Sequence, residues 1–249
     1  DLVRSRGLGD VYKRQNLGYP TRVQGSSTLL LQDCAPNAQH VKLVFPARDN
    51  MPKVAMPEVE VHWYDGGMMP DRPEGFPQGK ELMGEGGGLC IFHGTKDTLI
   101  CGCYGVNPWL LSGRKPNVPQ TLRRVKDAMK GGHEQDWIRA CKESAGSRVQ
   151  TKSNFLEAGP FNEMVVMGVL AVRLQRLNKE LLWDGPNMRF TNIDPNETIK
   201  IIKKDTFEVI DGDPKFKTEW TDPINAQEFA AGLIKHNYRE GWKLVDMPR

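Results

Sequence analysis

The chain has 249 residues, enough for one large domain or two small ones with a buried core that needs no disulfides. Hydrophobic residues make up 39% and charged residues 26%, close to ordinary globular usage, and no uncharged apolar run is long enough to cross a bilayer. The formal net charge of +3 is too small for a nucleic-acid-binding surface unless the charges cluster on one face. We therefore expect a soluble, folded protein whose partners are neither nucleic acid nor membrane.

The first 15 residues show neither a helical nor a strand period. Residues 5–15 (SRGLGDVYKRQ) resemble the in-frame translation of a transposase-end sequencing adapter; the alternative is a basic arm that binds nucleic acid. Residues 1–15 hold four basic and two acidic side chains, so without them the net charge falls to +1. We expect them to be an unstructured artefact, and the natural protein to continue upstream of Asn16.

The first half of the remaining chain is rich in predicted strands. Residues 21–32 (TRVQGSSTLLLQ) and 39–45 (QHVKLVF) are β-rich, and residues 59–64 (VEVHWY) alternate between apolar and polar side chains. These three segments predict antiparallel strands. Residues 65–88 are dominated by Gly and Pro and predict a long surface loop, of the kind that is usually functional or disordered.

A hairpin and a second loop complete this half. Residues 89–93 and 98–104 flank a turn at 94–97, which predicts two paired strands. Residues 108–119 are again interrupted by Pro and Gly, and they predict a loop.

The second half is predicted to be helical at four places. The helices are expected at residues 120–130, 133–144, 162–177 and 223–238. The third of these is the most apolar and carries charges only near its ends, which favours burial against a sheet. Because strands come first and helices follow, we predict an α+β fold, with helices covering one face of an open, mostly antiparallel sheet.

The cysteines suggest a metal site that strand geometry argues against. Cys90, His93, Cys101 and Cys103 have zinc-ligand types and spacing. In the predicted hairpin, however, Cys90 faces Cys101 and His93 faces Thr98, so His93 lies on the opposite face from the cysteines. We therefore expect reduced, buried thiols and no metal.

Two further patterns give weak signals. The glycines at 84–88 precede a strand, whereas a phosphate-binding turn follows a strand and opens a helix, so we expect no cofactor there. Asp65, Asp71 and Glu74 could supply an acid/base pair of a glycosidase, although acidic loop residues are more often simply solvated.

Five segments, in the same order, resemble the C-terminal domain of bacterial Gfo/Idh/MocA-type oxidoreductases. These are VEVHWYDGGMMPDRPEGFP from Val59, GGGLCIFHGTKDTLICGCYGVNPWLL, HEQDWIRAC, NFLEAGPFNEMVVMGVLAVRLQ with LLWDGPNMRFTN, and NAQEFAAGLIKHNYREGWKL. The resemblance covers essentially residues 16–244. Residues 203–221 depart from the family pattern and are expected to form an added surface hairpin.

The resemblance implies a two-domain enzyme in which an N-terminal Rossmann domain holds NAD or NADP. The domain seen here, residues 16–249, would then shape the sugar or polyol site and form a homo-oligomer through its open sheet face. The family's catalytic Lys, His and Gly-rich motifs match no position of this chain. We therefore expect a truncated bacterial metagenomic sequence that has no catalytic or cofactor-binding residue of its own and is inactive alone, whether the parent is cytoplasmic or periplasmic.

One wall of the sugar site is expected to remain. Trp63, Tyr64, Asp65 and Arg72, with Asn154 before the buried helix, combine aromatic rings with charged and amide groups that suit a polyol. The competing interpretation is that Trp63 packs in the core and that Asp65 caps a turn. Two functional alternatives also stay open: an NAD-dependent glycoside hydrolase of the same superfamily, and a non-catalytic carbohydrate-binding or dimerisation module.

Overall fold

The computed structural model describes residues 17–47, 58–82, 88–102, 105, 107–115, 125–127, 130–235 and 238–243. The predicted artefact at residues 1–15 lies outside them. The chain divides into two compact units, each described here by itself. The five-stranded unit comprises Leu17–Pro70 and Glu163–Arg249, and the three-stranded unit contains Asp71–Asn162.

The strands and helices of the described residues occur in the following chain order. The strands are β1 (Arg22–Ser27), β2 (Gln39–Phe45), β3 (Val59–Asp65), β4 (Leu89–His93), β5 (Thr98–Gly102), β6 (Trp109–Leu110), β7 (Leu181–Asp184), β8 (Arg189–Phe190), β9 (Thr198–Ile199), β10 (Ile202–Ile210), β11 (Asp213–Trp220) and β12 (Ile224–Asn225). The helices are α1 (Gly132–Lys142), α2 (Phe155–Arg173) and α3 (Ala226–Ile234), with a 3-10 turn at Gln175–Leu177.

The strands form open, antiparallel sheets, and the fold is α+β as predicted. The largest sheet has the order β3-β2-β1-β7-β8; β4, β5 and β6 form a second sheet, and β10 with β11 and β12 with β9 form two-stranded pairs. The hairpin expected within residues 203–221 is therefore confirmed as β10 and β11. The described residues contain no helix that is both long and apolar enough to cross a membrane.

Helix α2 packs closely on one face of the five-stranded sheet. A Cβ atom on Gly25 would lie 2.6 Å from the backbone nitrogen of Val172, so the helix backbone approaches β1 where a side chain is missing. Further along, a Cβ on Gly168 would lie 3.6 Å from the Val41 side chain. The same face contributes Val23, Val41 and the buried half of the helix to the core. Helix cover on one face of the sheet is thus observed.

Helix α2 starts earlier than the sequence predicts. The sequence predicts a helix from residue 162, whereas α2 begins at Phe155 and runs through Pro160. Glu163 therefore lies inside the helix, where it accepts a hydrogen bond from the Trp183 indole at 2.8 Å.

Other boundaries shift by smaller amounts. The first predicted strand is shorter than expected, since β1 ends at Ser27. The loop predicted at 108–119 contains the short strand β6, and the last helix is confined to α3. Residues 125–127 are not helical, and most of the helix predicted at 120–130 lies outside the described residues.

The three-stranded unit has a small core of its own. Phe76, Leu82 and Ile100 are buried there, and Trp109 packs against them. Helix α1 is fastened locally, because the buried carboxylate of Asp136 accepts from the Arg139 guanidinium at 3.1 Å and from the Lys152 backbone N–H at 3.0 Å.

Candidate functional site

Trp63 and Asp65 form a fixed aromatic surface at the end of β3. They lie two residues apart and so point to the same face of the strand. The indole N–H of Trp63 donates to the Asp65 carboxylate at 3.0 Å. That carboxylate also accepts from the Gln39 backbone N–H at 3.2 Å and from the Gln39 side-chain amide at 2.8 Å. The Trp63 residue remains 39% exposed, so an indole with a fixed orientation stays open to a ligand.

The turn after Asp65 is held by a close backbone approach. Gly66 has a φ of +67°, and a Cβ atom there would lie only 2.1 Å from the carbonyl oxygen of Asn37. Residue 66 must therefore be glycine for both conformational and steric reasons. The contact fixes the end of β3 and with it the position of the Asp65 carboxylate.

Tyr64 lies on the other face of the sheet, in a group of aromatic rings. Its ring stacks on His40, with centroids 4.5 Å apart, and the rings of His40 and His62 are 5.3 Å apart. His40 Nε2 and His62 Nδ1 share a hydrogen bond at 3.0 Å, and His62 Nε2 lies 3.2 Å from the Glu60 carboxylate. Tyr64 and Trp63 therefore cannot contact the same face of one sugar ring.

The face that carries Tyr64 also holds a network of ion pairs. Lys42 Nζ lies 3.0 Å from the Glu180 carboxylate and 3.9 Å from that of Glu60. Arg22 pairs with Glu58 and, at 3.3 Å, with Glu180. The network crosses the sheet from the start of β7 to β3. We did not predict it, although the alternation in QHVKLVF and VEVHWY places Lys42, His40, Glu60 and His62 on one face.

The environment of His40 favours its neutral imidazole. Partial burial lowers the pKa of His40 below its ordinary value, and the neighbouring His62 and Lys42 lower this pKa further. At neutral pH this face is therefore charged through Lys42, Arg22 and their carboxylate partners rather than through His40.

Arg72 and Asn154, the other predicted site residues, belong to the three-stranded unit and make local contacts there. The Arg72 guanidinium donates to the carbonyl oxygens of Pro77 at 3.2 Å and Lys80 at 3.1 Å, and it lies 5.0 Å from the Phe76 ring centroid. The Asn154 side-chain amide donates to the Thr151 carbonyl oxygen at 2.9 Å. Of the five predicted residues, the structure brings together Trp63 and Asp65; a role for Arg72 and Asn154 stays a prediction.

A depression at the base of the β10–β11 hairpin was not predicted. It has a volume of about 380 Å³ and is lined by Arg176, Thr198, Ile199, Lys200 and Trp220. The Arg176 guanidinium lies 4.1 Å from the centre of the Trp220 ring, an attractive cation–π arrangement. Arg176 and Trp220 are far apart in sequence, and no periodicity links them, so the sequence alone does not indicate this contact.

The predicted hairpin register of the cysteines is confirmed. Cys90 faces Cys101 and His93 faces Thr98, which separates the histidine from both thiols. Cys101 is buried and Cys90 half-buried, the two thiols are not joined in a disulfide, and Cys103 lies outside the described residues. The part of the chain that the structure describes contains no group of three or more side chains able to hold a metal ion.

Comparison of the chain with protein-family models and with curated proteins finds no match. Any functional conclusion must therefore rest on the residues and on their geometry.

Proposed function

We propose that this chain is the substrate-side domain of an NAD(P)-dependent sugar or polyol oxidoreductase, and that Trp63 is its sugar-binding surface. One observation carries the proposal: an exposed indole is fixed by the Asp65 carboxylate, which is itself held by Gln39. The rest comes from the resemblance of five segments to the C-terminal domain of Gfo/Idh/MocA-type enzymes.

An oriented indole suits the apolar face of a sugar ring. The C–H groups of a pyranose or cyclitol pack against an aromatic face, and little side-chain entropy is lost when the ring cannot rotate. Asp65 would act here as a positioning residue, because three hydrogen bonds already engage its oxygens. Met68 and Met69 follow the turn and are exposed, so they add adaptable apolar surface nearby.

The nicotinamide cofactor has a different place in this proposal. NAD or NADP is held by a separate N-terminal Rossmann domain, and the described chain contributes to the walls of the sugar site and to a homo-oligomer. The polar face that bears the ion pairs of Lys42 and Arg22 is the open sheet face proposed for that assembly. The chain alone is then expected to bind polyol but to catalyse no hydride transfer.

A non-catalytic carbohydrate-binding module is the second candidate, and the same indole surface favours it. Adding a nicotinamide nucleotide separates the two candidates. Polyol-dependent NAD(P) reduction by a chain that carries the proposed Rossmann domain supports the oxidoreductase, and polyol binding without it supports the module. Cleavage of a glycoside would instead indicate the hydrolase alternative.

The Trp63 surface is tested by titrating the chain with myo-inositol and D-glucose while following intrinsic fluorescence and calorimetric heat. Trp63→Leu is expected to lower affinity about 5-fold or more, since stacking contributes roughly 1 kcal/mol or more. Trp137→Leu is the matched control, because Trp137 is also 39% exposed but belongs to the other unit. Equal affinity in both variants would refute the assignment.

A further inference from the structure

The β10–β11 hairpin, called here the ribbon, is a two-stranded sheet. Its strands pair with each other from Ile202 and Trp220 to Ile210 and Asp213, and within the described residues they join no larger sheet, apart from a single bridge between Ile202 and Leu31 at the base. Two-stranded ribbons are marginally stable alone in water and gain from further strands or packing.

One face of the ribbon is apolar and open to solvent. Phe207 and Phe216 face each other across the strands, with ring centroids 5.1 Å apart. They are 59% and 73% exposed, and the neighbouring pair of Val209 and Pro214 lies on the same face. The opposite face carries Thr206, Glu208, Lys215 and Lys217. An exposed apolar ribbon of this kind indicates a contact surface.

In the part of the chain that the structure describes, no strand pairs with the outer edge of β11. The two-residue turn at Asp211 and Gly212, both with positive φ, makes Ile210 and Asp213 a hydrogen-bonded pair. Hydrogen-bonded and non-hydrogen-bonded pairs alternate along an antiparallel ribbon, so the backbone N–H and C=O groups of odd-numbered β11 residues point toward β10. The hydrogen bond that the Thr221 N–H donates to the Ile201 carbonyl oxygen agrees with this alternation. The N–H and C=O groups of Phe216, Thr218 and Trp220 therefore point to the free edge.

We propose that this edge pairs with the same edge of a second copy of the chain, antiparallel and with its two-fold axis at Thr218. The sequence Phe216-Lys217-Thr218-Glu219-Trp220 is complementary to itself when read in reverse. In the pair, Thr218 faces its symmetry mate, Lys217 faces Glu219, and Phe216 faces Trp220. The contact is isologous, so every favourable pair occurs twice.

The neighbouring registers are less favourable. An axis at Lys217 places two ammonium groups opposite each other, and an axis at Phe216 places Lys215 opposite Lys217 on both sides. Like charges that face each other across strands are destabilising. The axis at Thr218 avoids both clashes and joins the two apolar faces into one continuous four-stranded surface. Charge complementarity therefore favours a second copy of the chain as the partner of this β11 edge, paired in the register that has its axis at Thr218.

A charge-reversal cycle on the whole chain tests the proposal by analytical ultracentrifugation at concentrations up to about 1 mM. Lys217→Glu and Glu219→Lys each create two like-charge contacts between the copies and should weaken this association about 30-fold. Glu219→Lys also places a lysine opposite Lys204 within each ribbon, so the folding of this variant is checked in particular. The double variant restores both contacts and should recover the wild-type assembly. An equimolar mixture of the two single variants should form a heterodimer, because each chain then carries one sign of charge.

The exchange of Glu208 with Lys215 is the control. These residues face each other within one ribbon, so reversing both preserves their pairing and should leave association unchanged. Circular dichroism checks that every variant is folded. A wild-type chain that stays monomeric, single variants that associate normally, or a mixture that forms no heterodimer would overturn the proposal. The open sheet face proposed above is a separate contact: if reversal of Lys42 or Glu180 dissociates the assembly while the ribbon variants leave it intact, the ribbon is not an interface.

Discussion

The indole N–H of Trp63 donates to the carboxylate of Asp65 at 3.0 Å across two positions of one strand face. The contact changes the role expected for Asp65. The carboxylate positions an aromatic surface and joins β3 to Gln39 on β2, and the indole is the group left exposed to a ligand.

Replacing Asp65 by Ala should destabilise the five-stranded unit. The substitution removes the acceptor for the Gln39 N–H groups and for the Trp63 indole, and we expect the free energy of unfolding to fall by about 1–3 kcal/mol. Urea denaturation followed by far-UV circular dichroism measures this change. Asp71→Ala, at an exposed carboxyl six residues further on, should change stability by less than about 0.5 kcal/mol. A similar loss of stability in both variants would mean that the Asp65 carboxylate does not hold the Trp63 indole in place.

Gly66→Ala should cost more than Gly67→Ala. Both residues have positive φ, so alanine strains the backbone at either position by about 1–2 kcal/mol. At Gly66 the new methyl group would also collide with the Asn37 carbonyl oxygen, whereas at Gly67 it would meet open space. We expect the melting temperature of G66A to lie clearly below that of G67A in differential scanning calorimetry. Equal melting temperatures would contradict the close approach.

The pKa of His40 should be lower than that of an ordinary histidine, and Lys42→Met should raise it. Burial and the nearby charges of His62 and Lys42 disfavour the imidazolium, and the variant removes one of those charges. An NMR titration of the histidine ring protons gives the pKa directly. A pKa of His40 that is unaffected by the substitution would show that Lys42 does not act on this ring.

The same shift predicts a dependence of stability on pH. Because the pKa of His40 is lower in the folded state, the unfolded state binds the proton more readily once the pH falls below about 6.5. The contribution of His40 is therefore intact above about pH 6.5 and is lost as the pH falls toward the folded-state pKa. His40→Gln should flatten this part of the stability profile, which thermal unfolding at a series of pH values can show. An identical acid profile for both proteins would rule out His40 as its source.

Local patterns predicted much of the fold. The alternation in VEVHWY and the turn residues at 94–97 define strands and a register that depend on a few neighbouring residues, and β2, β4 and the cysteine register follow. The hairpin at residues 203–221 was also expected, although from its departure from the family pattern rather than from its own turn residues, Asp211 and Gly212, which specify it locally. The early start of α2 was missed because helix context outweighs the local cost of Gly159 and Pro160.

Only part of the candidate site could be predicted from the sequence. The chemistry of Trp63 and Asp65 follows from residue type and strand spacing, but their mutual hydrogen bond also requires Gln39 on a neighbouring strand. The expected grouping with Tyr64 ignored that adjacent strand residues point to opposite faces. The stacking of Arg176 on Trp220 depends on tertiary packing alone.

The most direct test is a map of polyol binding on the chain by two-dimensional NMR, with myo-inositol as the ligand. We expect saturable shifts of the Trp63 indole resonance and of the Met68 and Met69 methyl groups, and their loss in Trp63→Leu. Shifts centred instead on the Trp220 indole, or no saturable shift at any ligand concentration, would contradict the assignment of Trp63 as the sugar-binding surface.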